Sequence, residues 1–103
     1  MFSHIMNNIK ELLGGKAMAD ADLMAVLEKQ AEGKGLNWKT SVVDLLILLG
    51  INHSRKNRDA LADELGVHKE LKSGSAAKNE ALRKAVFKKI AENGGKVPNS
   101  LLD

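Results

Sequence analysis

Apolar residues recur at three- and four-residue steps from the start of the chain: Phe2, Ile5, Met6, Ile9, Leu12 and Leu13. That spacing puts them on one face of a helix over residues 2–13, which Gly14-Gly15 ends. Residues 14–22, Gly-Gly-Lys-Ala-Met-Ala-Asp-Ala-Asp, carry no such period. They predict a flexible linker in which nothing must be buried. Asp22 suits an N-cap, because its carboxylate can accept from the free N–H groups of a first helical turn. A second helix follows over 23–31, with Leu23, Val26 and Leu27 as its stripe, and Gly33-Lys34-Gly35 stops it.

The densest apolar run lies in Asn37-Trp38-Lys39-Thr40-Ser41-Val42-Val43-Asp44-Leu45-Leu46-Ile47-Leu48-Leu49-Gly50-Ile51 and holds the only tryptophan. A helix apolar nearly all round is a buried one, so this third helix is expected at the centre. Two starts are compatible with the pattern. Asn37 is one N-cap; Ser41-x-x-Asp44 is the other, read as a capping box. Gly50 fits the left-handed position after the last turn, with Ile51 folding back in a Schellman stop. A fourth helix is predicted over 57–65, with Leu61 and Leu65 inward, and Gly66-Val67 repeats the Gly50-Ile51 stop. The likeness of the two strings reflects shared capping, since their flanks do not match.

The fifth helix is predicted over 76–93, with Leu82, Ala85, Val86 and Ile90 as its stripe and Phe87 and Ala91 widening it. Glu80 and Lys84 form a favourable i,i+4 pair. After Asn93-Gly94-Gly95, the only proline, Pro98, pre-sets a turn, and Leu101 and Leu102 are expected to seal the core. The whole reads as an all-α protein, a small orthogonal bundle of about five helices with a flexible loop between helix 1 and helix 2. Its expected division is an N-terminal amphipathic helix (1–13), a linker (14–22) and a compact helical domain (23–103).

Composition supports this. The chain has 103 residues, room for one core. Aromatics are only 3% of the chain, and β-branched residues are sparse outside the helical runs. With no cysteine, disulfides and thiolate metal sites are excluded. No apolar run approaches the roughly 20 residues of a membrane span. The N-terminus lacks the basic stretch, apolar block and cleavage site of a signal peptide, so a cytoplasmic protein is expected. The net charge of +3 implies no polyanion partner by itself. Between residues 69 and 89, however, Lys69, Lys72, Lys78, Arg83, Lys84, Lys88 and Lys89 face only Glu70 and Glu80. That excess reads either as the solvated side of a surface helix or as a phosphate-contacting face.

Convergent chemistry is absent from the pattern. His4, His53 and His68 share no His-x-x-x-His or Glu-x-x-His spacing, so one helix face presents no pair of metal ligands. The glycine pairs lack the strand and spacing of a phosphate loop, no Gly-x-Ser-x-Gly turn exists, and Asp20-x-Asp22 is not continued as a calcium loop. No enzymatic activity, cofactor, metal or small-molecule ligand is expected. Leu61-Ala62-Asp63-Glu64-Leu65-Gly66-Val67 looks like the first helix and turn of a helix-turn-helix. The next residues put lysine and serine where a recognition helix needs apolar ones, and Gly74 breaks it.

The segment 37–51, Leu61-Ala62-Asp63-Glu64-Leu65-Gly66 and the tail from Ile90 to Asp103 together resemble a bacterial family, domain of unknown function 3597. The resemblance covers roughly residues 25–103. It implies five helices with a long flexible loop between the first two, and it lends no activity and no catalytic residues. The family's N-terminal segment is typically apolar and its linker rich in alanine and proline; here the linker is short and proline-free.

The expected function is that of a non-enzymatic helical module of a bacterial cytoplasm that binds another protein or itself. Phe2, Ile5, Met6, Ile9 and Leu13 are its candidate partner-binding residues, because an exposed apolar stripe marks a contact surface; the pattern leaves open whether helix 1 stays free or docks on its own domain. The alternatives are nucleic-acid binding through Lys78, Arg83, Lys84, Lys88 and Lys89, and attachment of helix 1 to a membrane surface. The latter is the less expected, since helix 1 carries only Lys10, offset by Glu11.

Overall fold

The computed structural model describes residues 1–103 as helices joined by turns, with no strand. In chain order these are α1 (Phe2–Leu12), α2 (Leu23–Ala31), α3 (Val42–Leu48), α4 (Arg55–Glu64), α5 (Ala76–Glu92) and the single turn α6 (Asn99–Leu102). Each of the four middle helices starts on a side-chain cap. Asp22, Ser41, Ser54 and Ser75 accept from the backbone N–H of Ala25, Asp44, Asn57 and Lys78. Each such bond satisfies one of the N–H groups that a helix start leaves without a partner.

Two of the helices end alike. The Ile51 N–H donates to the Leu46 carbonyl and the Gly50 N–H to that of Ile47; Val67 and Gly66 do the same toward Ala62 and Asp63. Both are Schellman stops, with the glycine at φ +70° and +74° respectively.

One core runs through the chain. It joins Phe2, Ile5, Ile9 and Leu13 of the first helical segment to Leu23 and Leu27 of α2 and Leu45, Leu46 and Leu49 from α3. Leu61, Leu82, Val86, Phe87, Ile90 and Leu101 complete its far side. The long helix α5 packs against α3, α4 and α6, and α3 also packs on α2. Trp38 is 2% exposed and tilts against Phe87, ring centres 6.3 Å apart.

Several expectations need correcting. Helix 3 begins at Val42, so Ser41 and not Asn37 is the cap. Residues 37–41 form a separate turn closed by the Ser41 N–H on the Asn37 carbonyl, and Trp38 enters the core from that turn. Only half of the capping box forms. The Asp44 carboxylate accepts instead from the Asn37 N–H at 2.9 Å, tying the turn to the helix. Helix 4 begins two residues early because Ser54 caps it, and the tail adds a helical turn after Pro98 that places Leu101 in the core.

The structure also places residues 1–22, where the pattern left the docking of helix 1 open. They pack on the rest of the chain, and Ala21 in the segment expected to bury nothing is part of the core. Met18–Asp20 forms a 3-10 turn, Ala21 is 2% exposed, and both α1 and Ala21 share the one core. The cause is the amphipathic stripe itself, which finds its apolar partner within the chain.

Candidate functional site

The five residues singled out on α1 are where the periodicity puts them, on one face, but that face looks inward. Ile5 and Ile9 are fully buried, Phe2 and Leu13 nearly so, and Met6 half-buried. Polar contacts pin the helix at its start and along its length. Nothing on Met1 caps α1, and the Glu64 carboxylate takes that role from the end of α4. It accepts from the Phe2 N–H at 2.8 Å and pairs with the N-terminal ammonium at 3.0 Å. These contacts, the Phe2 bond first, hold the Glu64 carboxyl below its ordinary value. Further along, the Asn8 amide donates to the Leu49 carbonyl at 2.7 Å, at the end of α3. In this arrangement the stripe offers no free surface to a partner or a membrane.

The five basic residues of α5 do not form one free face either. Lys78 is largely buried and pairs with Asp59 at 2.9 Å. Asp59 also accepts from the Ser73 hydroxyl; that bond first, then Lys78, lowers its pKa. Arg83 is 8% exposed and donates through Nη1 to the Lys39 carbonyl at 3.0 Å. Lys84 lies 3.7 Å from Glu80 and Lys89 3.8 Å from Glu92. Lys88 is exposed. Lys78 and Arg83 thus hold α5 to its neighbours, which leaves Lys84, Lys88 and Lys89 facing solvent.

The three histidines are exposed, and no group of three His, Asp or Glu side chains gathers at a metal-sized space. No helix is long and apolar enough to cross a membrane. Two features escaped the sequence pattern. Ile47 is 41% exposed although it lies in the most apolar helix, with half-buried Val43 one turn before it. A cavity of about 440 Å³ opens between the start of α3 and the first turns of α5, with Thr40, Ser41, Asn79 and Arg83 in its wall. Helical spacing shows which residues share a face, but not how far neighbouring helices cover it.

Residues 2–98 match the family described as Domain of unknown function (DUF3597). The chain belongs to that family. The matched region takes in α1 and the 3-10 turn as well as the bundle, in keeping with a core shared by all of them. No curated protein and no solved structure matches the chain. The family description carries no activity, so function must be argued from the surface.

Proposed function

We propose that the chain is a non-enzymatic helical module of the bacterial cytoplasm that works by binding another protein or a second copy of itself. The supporting observation is the Val43–Ile47 ridge of α3. Ile47 stands 41% exposed on a helix whose other side, Val42, Leu45 and Leu46, is core. A capped helix that leaves Ile47 and part of Val43 in water offers a partner a small apolar ridge to cover. The helix-1 stripe no longer supports this reading, because the chain's own core covers it. Nucleic-acid binding is left with Lys84, Lys88 and Lys89, two of them already beside a glutamate.

The test uses Ile47→Lys, which changes an exposed position and leaves the core intact. Light scattering reads self-association, and affinity capture from the native host with quantitative mass spectrometry reads other partners. The expected result is a dimer, or one stoichiometric partner, that the variant loses while its melting temperature is unchanged. Identical mass and identical captured proteins for the two chains would refute the reading.

A further inference from the structure

Arg83 is the only charged residue in the interior, at 8% exposure, and its partners are too few for its five N–H donors. Nη1 has one good bond, to the Lys39 carbonyl at 3.0 Å. Nη2 lies 3.5 Å from a Glu80 oxygen, beyond a strong hydrogen bond, and Nε is buried with no partner at all. A guanidinium removed from water without a full set of acceptors is costly. Glu80 does not supply the missing ones. Its side chain is 60% exposed, and the same oxygen also lies 3.7 Å from Lys84.

Arg83 lines the cavity between α3 and α5. Thr40, Ser41, Asn79 and the exposed Glu80 line it with Arg83, and Val42, Val43 and Ala76 make its apolar side. The volume of about 440 Å³ suits a small organic molecule. The Thr40 hydroxyl makes only a long bond to the Asn37 carbonyl at 3.4 Å, the Ser41 hydroxyl accepts from the Asp44 N–H and keeps its own proton to donate, and the planar fork of an arginine matches the two oxygens of a carboxylate or phosphate. We propose that this cavity binds a small molecule through an oxyanion, phosphate or carboxylate. Arg83 makes the charged contact, Asn79 and the hydroxyls of Thr40 and Ser41 orient it, and Glu80 swings away to Lys84. The site is independent of the Val43–Ile47 contact proposed above, although Val43 borders both.

Amide NMR titration of the intact chain decides it, with inorganic phosphate and acetate as separate probes and chloride holding ionic strength constant. The expected result is saturable shifts at Thr40, Ser41, Asn79 and Arg83 with at least one probe; which probe saturates separates a phosphate from a carboxylate site. Arg83→Gln should weaken binding about tenfold or more, the loss of a charge-assisted bond. Glu80→Gln, which removes a competing carboxylate at an exposed position, should tighten it several-fold. If Arg83→Gln fails to fold, Glu80→Gln decides alone. Shifts that never saturate, that spread over the surface lysines, or that are indifferent to Glu80→Gln would overturn the proposal.

Discussion

Glu64 shows how much one side chain at the end of a helix can do. Its two oxygens cap α1 from α4, across 62 positions of chain. Because its pKa is lower folded than unfolded, its contribution is complete above the ordinary value near 4.5 and is lost as pH falls through the lower folded one. Asp59, held down by Ser73 and Lys78 from an ordinary value near 3.8, has the same sign. The urea midpoint should therefore fall as pH goes from about 5 to 3, and Glu64→Gln should remove part of that slope. The effect is modest, since the Glu64 side chain is 42% exposed and water screens it. Equal slopes for the two chains would show that the carboxylate does not hold α1. None of this was legible in the sequence, where Glu64 is one more acid on a polar helix. Arg83 was hidden for a related reason: its partner carbonyl lies 44 positions away, and its long stem packs where an aliphatic residue would.

Helix boundaries were readable wherever a cap stood next to an apolar period. Asp22 and Leu23 set the start of α2, and Ser75 that of α5. The start of α4 was misplaced because Arg55-Lys56-Asn57-Arg58 has no apolar residue to carry a period, although Ser54 was there to signal it. Four residues of α6 are too few for any period to register. The glycine stops were legible, and Gly50 is the one with consequences beyond its own helix. At φ +70° an alanine is strained by about 1–2 kcal/mol. Its Cβ would also lie 3.3 Å from the Asn8 amide nitrogen that ties α1 to Leu49. Gly50→Ala should therefore lower stability by at least that amount and speed hydrogen exchange in α1 as well as at the end of α3. A loss confined to α3 would mean that the Asn8 contact carries no load.

At the scale of the molecule, the fold class followed from apolar spacing and the absence of strand-forming runs. The docking of α1 did not, since a stripe that seeks a partner and a stripe that seeks its own core have the same period. Removing residues 1–13 takes Phe2, Ile5, Ile9 and Leu13 from the core. At about 1.5–3 kcal/mol for each buried side chain, the loss rivals the roughly 5–15 kcal/mol that keeps a domain folded. The truncated chain should show no cooperative thermal transition by circular dichroism. A sharp melt near that of the full chain would mean that α1 is an accessory after all. The shared core also has a consequence during synthesis. The stripe of α1 leaves the ribosome before its partners, since Val86, Phe87 and Ile90 of the same core arrive roughly 80 residues later. At about 5–20 residues per second, that leaves the apolar face open for about 4–16 s. The surface that is silent in the folded molecule is thus bare for seconds before the chain can cover it, which is the interval in which a growing chain is open to wrong contacts.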